Sequence, residues 1–322
     1  MYGWDDLKPR IAVTEREVEC PALGCRIVVP RQRNSFRRAP EFRCPIHGIY
    51  ISPSTWEYEC EQDNLLWHDV ADLAQLAAIK RVKRECRMAR DNSEDAVTWN
   101  LFRALERAQA LPSFVEALLG ERAQETRPVY WSYDARCASP WPWLTVARAE
   151  FGERADQGSE PDFILDMPHA VIFIEAKVNA TNNTVPSNPR YSLPFYRAGG
   201  EGWYDKVFAS SPETVAIQSR LYELMRFWLL GSWIAAQSGR AFHLVSLVLD
   251  RRDRDLQERF GQHIRPKASR AYQRITWEEC CQFIDAGGPA VAERQRLLRY
   301  MEQKTAGYVN GVLQRAFDLS RR

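Results

Sequence analysis

The sequence predicts an α/β fold, a mixed sheet flanked by helices, with a small Cys/His-bearing module ahead of it. Three observations carry this. Apolar runs at 163–165 and 170–174 are bounded by polar breaks, as buried strands are. Segments near 70–90, 93–105 and 215–237 keep apolar residues at helical spacing. Two pairs of metal-ligating residues, Cys20 with Cys25 and Cys44 with His47, lie near the N-terminus.

A chain of 322 residues, 45% hydrophobic and 27% charged, has the composition of a globular protein of one large or two modest domains. A net charge of +2 decides nothing about partners, because clustering of basic residues matters more than their sum. The longest apolar run, 227–236, is interrupted by Gly231 and Ser232 and is too short for a bilayer. With no charged-then-apolar leader, a cytoplasmic location and no membrane partner are expected. Eight cysteines then point to metal binding or burial before disulfides.

Residues 16–69 read as the first domain. Cys20-Pro-Ala-Leu-Gly-Cys25 and Cys44-Pro-Ile-His47-Gly48 can present four tetrahedral N/S ligands to Zn²⁺, and the arrangement resembles a zinc ribbon. The first gap is wider than the commonest spacing, and Cys60 and His68 are rival fourth ligands. Arg26, Arg31, Arg33, Arg37, Arg38 and Arg43 face a single acid, Glu41, so the insert is either a phosphate-holding patch or a solvated face. Residues 70–92 read as a basic linker helix: Val70, Leu73, Leu76, Ala77, Ile79 and Val82 form its apolar stripe, and Lys80, Arg81, Lys83, Arg84, Arg87 and Arg90 its basic second half.

The remainder, 93–322, reads as the main domain. Ser93 suits an N-cap, with Glu94 and Asp95 in the first turn of a helix that buries Ala96, Val97, Leu101, Phe102 and Leu105. Residues 121–143, rich in Pro and aromatics, read as a loop with one strand, and 143–151 as the strand before a hairpin. The hairpin's strands put Asp162 at the mouth of the first, and Glu175 and Lys177 two residues apart on one face at the end of the second. Paired carboxylates repel unless a cation lies between them, and an all-oxygen site suits Mg²⁺ or Mn²⁺, with the lysine able to orient a water.

Residues 179–202 read as a loop near the substrate, and 215–237 as one long helix with a Gln218, Tyr222, Arg226 stripe. An apolar strand follows at 242–249, in which His243 reads as a hydrogen-bonded core residue. A basic segment at 251–274, a strand passing into a capped helix near 275–279, and one or two helices over 290–319 complete the chain.

Pro161-Asp162 followed by Glu175-Ala176-Lys177 resembles the signature of the PD-(D/E)XK nuclease superfamily, over about residues 93–285. The resemblance implies a restriction-endonuclease-like fold and metal-dependent hydrolysis of DNA, double-stranded in preference, in a setting such as restriction or antiviral defence. It implies that Asp162, Glu175 and the Ala176 carbonyl bind Mg²⁺ and that Lys177 serves the attacking water. It further implies that an upstream glutamate, Glu94 first and Glu150 or Glu153 in reserve, completes the site, and that Gln218 reaches the water or a phosphate. A partner subunit or a second copy is compatible with it. The rival readings are an inactive nucleic-acid-binding adaptor whose working part is the ribbon, and a nuclease directed at RNA.

Overall fold

The structure, a computed structural model, describes residues 1–33, 35–83, 86–121, 123, 125–154 and 158–319. They form two compact units: one from residues 1–70, 86–110 and 278–322, the other from 71–85 and 111–277. The expected ranges 16–69, 70–92 and 93–322 therefore do not coincide with the units. The Cys/His segment shares its unit with the helix Glu94–Arg107 and with the C-terminal residues.

The second unit holds a seven-stranded mixed sheet with helices α1 (Val70–Val82), α2 (Leu111–Leu119), α3 (Pro142–Glu150), α4 (Pro189–Val207), α5 (Tyr222–Gln237) and α6 (Leu256–Gly261). Its strands are β1 (Arg127–Tyr130), β2 (Tyr133–Asp134), β3 (Ser139–Pro140), β4 (Phe163–Asp166), β5 (Ala170–Ala176), β6 (Ala241–Val248) and β7 (Arg270–Thr276), in spatial order β7-β6-β5-β4-β1-β2-β3. β5 runs antiparallel to β4 and parallel to β6, and β6 runs parallel to β7. All seven residues of β5 are buried, which is why it reads as a continuous apolar run and not as an alternation. Phe173, Phe242, Trp228 and Phe260 lie in one core with the apolar side of α5. Gly231 lets α5 approach β6: a Cβ there would lie 2.1 Å from Phe242 Cε2.

Several sequence expectations give way here. Residues 143–151 form the helix α3, not a strand: Pro142 fits its first turn, and Leu144, Ala147 and Phe151 recur on one buried side. The strand beside the hairpin is β1, within the segment expected to hold one. Of the loop expected over 179–202, residues 189–198 are helical, and α4 breaks at 199–202, where Gly200, Glu201 and Gly202 take positive φ. The long helix expected over 215–237 starts at Tyr222. A single wide turn at Thr214–Gln218 precedes it, and Arg220, at φ 56°, separates the two. The basic helix stops at Val82. Lys83 instead lies 4.8 Å over the Trp131 ring and 3.9 Å from Glu160, and Arg84 lies outside the described residues.

In the first unit, short antiparallel pairs Glu17–Glu19 with Val28–Pro30 and Tyr50–Ile51 with Trp56–Glu57 carry the Cys/His turns. The C-terminal expectation is corrected as well. After the helix Val291–Gln303 comes a hairpin, Thr305–Val309 with Val312–Arg315, whose Tyr308 and Leu313 complete the core around Val18, Val29, Ile51 and Trp56. Positive φ at Asn310 and Gly311 forms its turn. Among the described residues, no helix is long and apolar enough to cross a membrane.

Candidate functional sites

The hairpin register places two of the expected charges together. Phe163 pairs with Ile174, so the next residues outward, Asp162 and Glu175, are opposite one another at the strand ends. Asp162 is held from two sides: its Oδ1 accepts from the Trp131 indole at 3.1 Å and its Oδ2 from the Ala176 N–H at 2.8 Å. Trp131 and Ser132 form the two-residue turn between β1 and β2, both with positive φ (44° and 72°). A tryptophan in that conformation is uncommon and costs energy, and its indole lies on the candidate site.

Lys177 extends from the end of β5 and donates to Glu175 Oε1. Its ammonium is also 3.0 Å from Glu223 Oε2. Glu223 lies in the first turn of α5, a position fixed by Thr184: the Thr184 Oγ1 accepts from the Glu223 N–H at 2.9 Å, and its carbonyl accepts from the Tyr222 N–H at 3.2 Å. The loop expected near the substrate thus anchors the helix that supplies the third carboxylate. Glu175 Oε2 is buried without a hydrogen-bond partner among the described residues. Burial, then the charges of Asp162 and Glu223, push the Glu175 carboxyl well above the usual range. Burial alone would lower the Lys177 ammonium, but Glu175, Glu223 and Asp162 together raise it, so it stays charged. Burial raises Glu223, but Lys177 outweighs it and the carboxyl is held down.

The other expected residues fall elsewhere. Gln218 is exposed in the turn before α5. Glu150 Oε1 accepts from the Gly200 N–H, and Glu153 accepts from Ser159 and from the Tyr196 hydroxyl. Glu94 opens the Ser93-capped helix of the first unit. His243, as expected, is a buried residue paired with Glu121 at 3.1 Å, its pKa lowered by burial. Sequence reasoning missed Glu223, along with Trp131. An acid in the first turn of a helix following an E-x-K strand was the only available signal, and the misplaced helix start concealed it.

In the first unit, Cys20, Cys25, Cys44 and His47 bring their ligand atoms within 4.8 Å of one another. Cys25 and Cys44 sulfurs are 3.8 Å apart, and His47 Nδ1 is 3.4 Å from Cys44 and 3.7 Å from Cys20. A tetrahedral zinc with usual bond lengths requires S···S edges of about 3.8 Å and S···N edges of about 3.6 Å. The set therefore fits Zn²⁺, despite the wide first gap, because Gly24 at φ 76° closes that loop. Burial pushes the Cys20 thiol up, so an ion would displace a proton to bind. The rivals are placed apart in role: Cys60 is exposed, and His68 Nδ1 lies 2.9 Å from the Leu65 carbonyl. Much of the arginine-rich insert is tied down locally, Arg43 to Glu59 at 2.5 Å, Arg31 to the Thr14 carbonyl and Arg38 to the Tyr58 carbonyl.

Fold and sites thus define an α/β chain with a buried carboxylate–lysine cluster at one end of a mixed sheet and a separate Cys₃His cluster able to hold a metal. The chain matches no protein-family model, no curated protein and no solved structure.

Proposed function

We propose that the sheet-bearing unit is a divalent-cation-dependent phosphodiesterase acting on DNA, a nuclease of the PD-(D/E)XK kind. The observation that carries this is the cluster itself. Three carboxylates, Asp162, Glu175 and Glu223, lie about one buried ammonium, and among the described residues Glu175 Oε2 has no hydrogen-bond partner while Glu223 Oε2 has only the Lys177 ammonium. With all three ionised, the cluster is costly unless a cation completes it; without one, Glu175 keeps a proton, which a bound cation would replace. The all-oxygen donor set suits Mg²⁺ or Mn²⁺ over softer ions.

Asp162 and Glu175 would hold the ion, with Glu223 on the same side and the Ala176 carbonyl at the strand end. When bound, the ion supplies Lewis-acid polarisation of a phosphate oxygen and a more acidic water. The Trp131 and Ala176 N–H groups keep the Asp162 carboxylate oriented. Lys177, kept protonated by its acidic neighbours, would donate to the attacking water or to a non-bridging phosphate oxygen and offset the charge that develops there. Glu94, in the other unit, is given no part in this proposal.

The test is nicking of supercoiled plasmid by purified protein with Mg²⁺, with Mn²⁺ and with neither. Cation-dependent nicking that disappears in Asp162→Asn is the expected result. Inactivity under all three conditions would favour the binding-adaptor reading, and cleavage confined to RNA substrates would replace the DNA assignment.

A further inference from the structure

Beside the start of α5 lies an open pocket of about 500 Å³ to which the nuclease reading assigns nothing. Its size is that of a small-molecule site, which spans about 300–1,000 Å³. Five aromatic residues line it: Phe151 at the end of α3, Tyr191, Phe195 and Tyr196 from α4, and Tyr222 from α5. Tyr191 and Phe195 are 59% and 44% exposed, an unfavourable position for large rings unless something covers them. The two rings lie 5.1 Å apart at 58°, an open edge against which a planar group can stack.

Arg226 supplies the polar counterpart. Its guanidinium lies 4.8 Å over the Tyr222 ring and lines the pocket, yet its Nε is buried and donates to no partner among the described residues. The nearby acid, Glu153, is occupied by other donors: the Tyr196 hydroxyl at 2.9 Å and the Ser159 hydroxyl and N–H at 2.5 Å each. A guanidinium with an unused Nε donor in a partly dry site matches a phosphate or carboxylate. Stacking edge and guanidinium in one pocket match an aromatic ring bearing an anion.

We infer that this pocket binds a single unstacked nucleotide, its base on the Tyr191 and Phe195 rings and its phosphate on Arg226. The same chemistry is offered by a free nucleoside monophosphate and by the terminal nucleotide of a strand. The pocket does not depend on the chain being a nuclease, because none of the groups used here belongs to the carboxylate–lysine cluster.

Full-length, zinc-loaded protein without added divalent cation is titrated calorimetrically with dTMP, thymidine and inorganic phosphate. A second arm uses a short thymidine oligonucleotide with and without a 5′-phosphate. dTMP is expected to bind at least about tenfold more tightly than either fragment, because both contacts act on one ligand. Arg226→Met should weaken dTMP at least about tenfold while changing thymidine binding by no more than about twofold. Tyr191→Ala should weaken both; that ring is exposed, so this variant keeps the test valid if Arg226→Met does not fold. Tighter binding of dTMP assigns a free nucleotide, and tighter binding of the phosphorylated strand assigns a strand end; each supports the pocket. No binding of dTMP or either strand, or unchanged binding in both variants, overturns it. Lys177→Met must bind dTMP as the wild type does. Loss there would place the ligand at the carboxylate cluster and overturn the inference, whereas a protein that binds dTMP but cuts nothing would sink only the nuclease reading.

Discussion

At the scale of residues, Lys177 separates a working site from a structural charge cluster. Lys177→Met retains the length of the stem and removes the charge and donors, leaving Asp162 and Glu175 to hold a cation. Single-turnover cleavage should fall by roughly two orders of magnitude or more, the scale for losing one transition-state electrostatic partner; wild-type rates would show that the chemistry lies elsewhere. Glu175 gives an independent readout. Mg²⁺ binding to the folded state alone should stabilise the wild type by about 1.4 kcal/mol at ten times its dissociation constant. Glu175→Gln should lose most of that gain in a thermal melt, and a Mg²⁺ response equal to wild type would contradict the ion's placement. Asp162, Glu175 and Lys177 were legible because one hairpin's register fixes all three. Glu223 and Trp131 were not. The first depends on where α5 starts, and the second on a Trp-Ser turn whose two positive φ values the sequence does not signal, since such turns ordinarily use Asn and Gly.

At the scale of elements, the strands β4, β5 and β6 were readable because burial on both faces makes them continuous apolar runs, bounded by polar turns. The segment 143–151 was misread because both periods fit a short amphipathic stretch, and Pro142 at the helix start was the deciding signal. The contact of α5 with β6 offers a test of the packing. Gly231→Ala places a methyl against the Phe242 ring, where no rotamer relieves a backbone-fixed Cβ. Stability should fall by about 1–3 kcal/mol or more, measured as a lower denaturant midpoint. Phe242→Leu in the same chain should recover part of the loss, and independent, additive effects of the two changes would refute this account of the contact.

At the scale of the molecule, the Cys₃His cluster and the C-terminal hairpin share one core, so metal should stabilise both. Freshly purified protein is expected to carry about one Zn²⁺ per chain, and Cys44→Ala to carry none. In that variant, backbone amides of Thr305–Val309 and Val312–Arg315 should exchange faster with solvent; zinc-free wild-type protein with unaltered exchange there would refute the coupling. The composition of this unit could not be read from local pattern, since nothing in the first seventy residues announces partners near residue 310. The division of the chain also orders its assembly. All residues of the sheet precede residue 278, whereas the unit that bears the cysteines needs Tyr308 and Leu313 to close its core. On a ribosome, which delivers roughly 5–20 residues each second, the thiols emerge long before Tyr308 and Leu313 and wait for those residues before they are enclosed. During that interval they are open to early capture of zinc and to oxidation, so nascent chains arrested before residue 305 should retain alkylatable Cys20, Cys25 and Cys44 when released full-length protein no longer does.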